Sequence, residues 1–107
     1  LRDSLKAILA PRVEPFELGP GVAVKVKELS LKERISWREA SIEPDGKLKD
    51  NWIAELLFRC VRDEDGSAVW DAPEDVDGSE SVLGRLLEAA QRVNGLAADS
   101  TKEAQGN

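Results

Sequence analysis

The 107-residue chain has no histidine, no tyrosine and no methionine, and it has one cysteine, Cys60. Each absence closes off some chemistry. Zinc sites built from Cys/His clusters cannot form. Ser-His-Asp and Cys-His catalysis need an imidazole and are excluded. No disulfide can close within one chain, so nothing marks a secreted scaffold. Cys60 lies among Ile53, Leu56, Leu57 and Val61 and is read as a small buried apolar residue rather than a reactive thiol. Long apolar runs are missing too, since none approaches the roughly 18 residues of a membrane span. Leu5–Ala10 is too short for a signal sequence and is interrupted by Lys6. The expectation is a cytoplasmic protein with no membrane contact. No Met stands at position 1, so residues ahead of Leu1 are expected to be missing.

Charge is plentiful but unevenly placed. The net charge is −6, and from Asp63 to Glu80 there are eight acids and no base. Nucleic-acid binding wants the opposite field, because phosphate neutralisation drives that affinity, and it is set aside. A basic protein partner is favoured, although an acidic run taken alone is usually a solvated face.

The pattern along the chain predicts an α+β fold. Residues 1–12 read as a partly ordered leader, with a helical turn or two over Ser4–Ala10 ended by Pro11. Val22, Val24 and Val26 alternate with Ala23, Lys25 and Lys27, the period of a strand with one buried face. Gly19-Pro20-Gly21 is a turn, and Val13–Leu18 is the partner strand, kept to a sheet edge by Pro15. This makes a first hairpin over about 13–28. Ser30 and Glu33 stand in capping-box spacing and open a short, rather exposed helix over about 30–40. Residues 41–49 form a loop around Pro44-Asp45-Gly46. Asp50-Asn51 offers an N-cap, and apolar residues at 52, 53, 56, 57, 60 and 61 give a helix over about 50–61.

A second hairpin is predicted over about 60–70. Asp65-Gly66 is a strong two-residue turn signal of type I′, flanked by Cys60-Val61-Arg62 and Ala68-Val69-Trp70. Residues 72–75 read as an acidic turn or one helical turn. The last helix, about 79–94, is capped by Ser79 or Ser81 and carries the stripe Val82, Leu83, Leu86, Leu87, Ala90 and Val93. Gly95 is placed to adopt the left-handed conformation at its end, with Leu96 folding back. Strands and helices are segregated, with no βαβ repeat. Residues 13–96 therefore form one domain, and 97–107 are expected to be a mobile C-terminal tail.

Few site chemistries remain. An EF-hand calcium loop needs a ligand at its first position and a Glu at its twelfth. Setting Gly66 sixth puts Val61 first and Ala72 twelfth, and setting Gly78 sixth puts Pro73 first. Both registers fail, so a calcium-regulated module is disfavoured and no metal site is assigned. Gly19-x-Gly21 lacks the following helix and the Gly-Lys-Ser/Thr of a phosphate loop. Asp63, Glu64 and Asp65 sit on a hairpin tip in water, where no carboxyl is poised for acid–base work. The chain is read as a non-enzyme without catalytic residues or cofactor. Trp37, Trp52 and Trp70 are three of only five aromatics. Because Trp is enriched at binding hot spots, they are the candidate partner-binding residues. Trp37 is expected to be the most exposed, since its helix has the weakest apolar stripe.

The order of these segments resembles the tail assembly chaperones of long-tailed bacteriophages and prophages. A Val-rich strand leads into E-L-S-x-x-E-R, here Glu28-Leu29-Ser30 through Glu33-Arg34. A helix leads into D-E-D-G followed by an aromatic, here Asp63–Gly66 with Trp70. A last helix ends in L/V-N-G-L, here Val93–Leu96. The resemblance covers about residues 10–96; the 41–49 loop is shorter than the family pattern, and Trp37 is bulkier. It implies a non-enzymatic role in the host cytoplasm: binding the tape-measure protein, keeping its apolar helices from aggregating, helping recruit the tail-tube protein, and leaving before the virion is mature. It also implies that family members are often made in a longer, frameshifted form. Many weak copies side by side on a long partner imply self-association. A structural phage component, such as a head–tail connector or minor tail protein, is the alternative reading.

Overall fold

A computed structural model describes residues 1–96; the tail expected at 97–107 lies outside the described residues. The order is α1 (Arg2–Leu9), β1 (Val13–Gly19), β2 (Val22–Lys27), α2 (Leu31–Ser41), α3 (Trp52–Cys60), β3 (Val61–Arg62), a single 3-10 turn at Pro73–Asp75, and α4 (Glu80–Val93). This is the α+β mixture the sequence predicts, with the helical turns expected at Ser4–Ala10 present as the helix α1 ahead of the three main helices. The strands form one antiparallel sheet in the order β1-β2-β3. Pro15 is accommodated because β1 is an edge.

Strand alternation decides which face is buried. Phe16, Leu18 and Val24 pack against the core, and Val26 and Val61 are part of it. The helices α3 and α4 pack on this face of the sheet, and α2 packs on α3. The core is completed by Leu29, Trp37, Leu56, Leu57, Cys60, Leu86, Ala89, Ala90 and Val93. Arg85 lies 5.5 Å above the Phe16 ring and so ties α4 to β1.

The expected second hairpin is a correction. Val61 and Arg62 pair with β2, as Val26↔Val61 and Lys25↔Arg62. Residues 68–70 form no strand, and Ala68 makes a single bridge to Arg62. The chain then bends away, and Trp70 packs against the core instead of extending the sheet. The turn also differs from type I′, which needs positive φ at Asp65. Among the described residues only glycines have positive φ, with Gly66 at +91°. The Gly66 amide donates to the Asp63 carbonyl (3.0 Å), and the Asp63 amide donates to the Ser67 carbonyl (2.9 Å). This is a type I turn followed by a left-handed glycine, the three-residue hairpin loop.

A second copy of that turn stands at Glu43–Lys47, within the segment read as a loop. Gly46 has φ +90°. Its amide donates to the Glu43 carbonyl (2.8 Å), and the Glu43 amide donates to the Lys47 carbonyl (2.7 Å). Ile42 and Leu48 close it with one bridge.

Candidate functional site

The resemblance-bearing segments meet in space. At the start of α2 the Ser30 hydroxyl accepts from the Glu33 amide (3.2 Å), and the Glu33 carboxylate accepts from the Ser30 amide (2.9 Å). The predicted capping box is present in full. Lys27 donates to both Glu33 oxygens, at 2.9 and 2.8 Å. Burial raises the Glu33 carboxyl, but the Lys27 bond and charge and the Ser30 bonds outweigh it and leave it below its ordinary range.

At the other end of the domain, α4 closes with the full Schellman pattern. The Leu96 amide donates to the Gln91 carbonyl and the Gly95 amide to the Arg92 carbonyl, and Gly95 has φ +69°. Leu96 packs against the core. Asn94, between them, is buried. Its Oδ1 accepts from the Leu29 amide (2.7 Å), and its Nδ2 donates to the carbonyls of Ala90 (2.9 Å) and Lys27 (3.3 Å). Arg34 donates to the Asn94 carbonyl and Arg12 to the Val93 carbonyl, both at 3.0 Å. Two cations therefore sit at the negative end of the α4 dipole. The E-L-S-x-x-E-R and V-N-G-L segments are the two halves of one buried junction, and their residue types are fixed by these bonds. Asn94 Nδ2 also reaches the Cys60 sulfur at 3.5 Å. Burial pushes the Cys60 thiol up to about 12, so it stays protonated and inert at neutral pH, as its apolar setting predicts.

The tryptophans differ in burial. Trp37, expected to be the most exposed, is 5% exposed and belongs to the core. The buried face of α2 is Trp37 and Ser41, while Leu31 and Ile35 point outward at 76% and 46% exposure. The indole of Trp37 donates to the Trp52 carbonyl (3.3 Å), which brings those two segments together. Trp52 and Trp70 are half-buried and pack against the core from its rim. Asn51 stands at the N-cap of α3 as predicted, but its side chain accepts no capping bond.

The other side of the sheet carries no helix in the packing described above, and two shallow grooves cross it. One, of about 440 Å³, is lined by Pro11, Val13, Lys25, Lys27, Arg62 and Gly66. The other, of about 450 Å³, is lined by Pro15, Glu17, Gly21, Val22, Ala23 and Glu64. One end of the open face is thus basic and the other acidic. Neither groove carries a nucleophile–base pair. Among the described residues no three carboxylates or thiols are grouped to hold a metal ion, and no helix is long and apolar enough to cross a membrane.

No protein-family model matches the sequence, and no curated protein matches it. Among solved structures the chain is similar to the tail assembly chaperone of bacteriophage HK97, with a TM-score of 0.57 and 21% identity. The likeness covers 85% of this chain and 97% of that one. Together with the motif junction, it establishes that the chain has a tail assembly chaperone-like fold.

Proposed function

We propose that the protein is a non-enzymatic tail assembly chaperone that binds a tape-measure protein and assists assembly of the tail tube around it. The observation that carries this reading is the fold shared with the HK97 chaperone over nearly the whole of that chain. The half-buried Trp52 and Trp70 are the aromatic contacts offered to the partner, and Trp37 supports Trp52 from the core through the indole bond to its carbonyl. The protein works in the bacterial cytoplasm, associates with further copies of itself along the partner, and is absent from the finished virion.

Co-expression with a tape-measure fragment from the same phage or prophage tests the binding. The fragment becomes soluble when the chaperone is in excess; a fragment that stays in the pellet at every ratio ends the proposal. Mass spectrometry of purified virions separates it from a connector or minor tail protein, because a structural component is present there and a chaperone is not.

A further inference from the structure

Helix α1 is the element with least to hold it. None of its residues is buried, and Leu5, Ile8 and Leu9 are 52%, 79% and 68% exposed. A helix this short does not persist in water on propensity alone; it needs a packed apolar face. Leu5, Ile8 and Leu9 stand at i, i+3 and i+4 and form one stripe. The C-terminal residues 97–107 cannot supply the cover, since they carry no apolar side chain larger than alanine.

The border of the stripe specifies what covers it. At about 3.6 residues per turn, Arg2 and Lys6 lie along its edge next to Leu9. Ser4 lies along the other edge, and Ala7 and Asp3 lie at the back. Past Pro11 the surface continues into the basic groove, where Val13 stands beside Lys25 and Arg62. Lys25 and Arg62 are direct cross-strand partners, a like-charge pairing that disfavours the sheet. Among the described residues the only ion pairs are Lys27–Glu33 and Arg59–Glu55, so neither Lys25 nor Arg62 is held in a salt bridge, although Lys25 is near enough to the Asp65 carboxylate to help hold it below its ordinary range. The acidic turn that flanks the groove at Gly66 is engaged with its own backbone: Asp63 Oδ1 accepts from the amides of Asp65 and Ser67, and Asp65 Oδ1 from that of Ser67. A chain of net charge −6 therefore sets cations along one edge of α1 and in the groove that follows it past Pro11.

We propose that α1 and the basic groove at its foot form one docking surface for a partner-protein helix whose apolar stripe is bordered by acidic side chains. A second copy of this chain fits poorly. Antiparallel two-fold pairing of α1 sets Arg2 and Lys6 against Arg2 and Lys6, and three apolar side chains from each helix bury well under the roughly 1,200 Å² of a stable interface. A partner helix that runs along α1 and over Val13 meets both the stripe and the cations. The surface stands whether or not the partner is a tape-measure protein.

Two labelled synthetic helical peptides test it. They share one leucine stripe, bordered by Glu in one and by Lys in the other. Each is titrated into the 107-residue protein at low salt, by fluorescence anisotropy and by amide chemical-shift mapping. The Glu-bordered peptide is expected to bind about tenfold or more tighter than the Lys-bordered one. Its shifts are expected in α1, Val13, Lys25 and Arg62. Leu5→Asp with Ile8→Asp abolishes binding at an unchanged Tm, because neither side chain is buried. Arg2→Glu with Lys6→Glu, which touches no apolar residue, reverses the preference between the peptides. Equal affinity for both peptides, no binding up to millimolar concentration, or shifts confined to other elements overturns the proposal. So does sedimentation showing a dimer that the Leu5/Ile8 variant dissolves, since the occupant is then a second copy. The peptides contain no tape-measure sequence, so this result and the co-expression result fail independently.

Discussion

The junction at Val93–Leu96 and the turn at Asp63–Gly66 are both short signatures shared with the tail assembly chaperone pattern, and both hinge on a left-handed glycine, with φ +69° and +91°. Their bonds go to different places. Asn94 reaches Leu29, Lys27 and Cys60, and its carbonyl receives Arg34 from the start of α2. Among the described residues the turn's hydrogen bonds stay within Asp63–Ser67. Its backbone recurs at Glu43–Lys47, where the Asp-Gly pair and its carboxylate bond are repeated but the first two residues and the last differ. One signature specifies how distant segments meet. The other specifies a local bend that the chain makes twice by different means.

The largest expected effect is at the junction. Asn94→Ala leaves the buried Leu29 amide without its acceptor and should lower unfolding free energy by about 3 kcal/mol in a denaturant titration. Asn94→Asp should be worse, because it turns an Nδ2 that faces the Ala90 and Lys27 carbonyls into a buried carboxylate oxygen. A loss below about 1 kcal/mol for Asn94→Ala would mean that the junction is incidental to the fold.

The two glycine turns come next, and here the expectation is equality. Gly46 and Gly66 have φ of +90° and +91°, and a Cβ at either meets nothing within 4 Å. Alanine at each should cost about 1–2 kcal/mol from the left-handed backbone alone. A clearly larger cost at Gly66 would show that its turn also sets the β3 register, and the contrast between a long-range junction and a local bend would then weaken.

These distinctions explain what was legible in the sequence. The α4 stripe, the Ser30–Glu33 box and the Gly95 stop each depend on residues within one helix, and all three are present. The burial of Trp37 was hidden because Ser41 shares the inward face of α2 while Leu31 and Ile35 face water. Hydrophobic periodicity pointed the wrong way around that helix. The Asp-Gly signal gave the bend at 63–66 but not the strand after it, since strand length depends on whether Trp70 prefers the core. The docking stripe on α1 was equally hidden. Leu5, Ile8 and Leu9 read the same in sequence whether a helix lies on its own core or waits for another chain.

A third effect separates the two turns by their first residue. Asp63 Oδ1 accepts two amides, at 3.0 and 3.1 Å. Glu43 is one methylene longer, and its carboxylate makes no hydrogen bond among the described residues. Asp63→Ala should cost about 1 kcal/mol by thermal or chemical unfolding. Glu43→Ala should cost almost nothing. Similar losses at both would place the effect in general charge rather than in the turn.

The smallest effect is also the most direct test that the two turns are one structure. Where the later turn uses the Asp63 carboxylate, the earlier one uses Pro44, whose ring holds φ near the value a type I turn needs at its second position. The matching residue of the later turn is Glu64, and among the described residues no hydrogen bond engages its amide. The residue ahead of it, Asp63, stands where Glu43 already tolerates a following proline. Glu64→Pro should therefore stabilise the protein by about 0.5 kcal/mol, and Pro44→Ala should destabilise it by a similar amount, both through the entropy of the unfolded chain. The double variant should return to the parent Tm, because the two turns share no hydrogen-bond partner among the described residues. If Glu64→Pro destabilises instead, the backbones differ at their second position. The later turn would then be held in shape by Asp63 rather than merely reinforced by it.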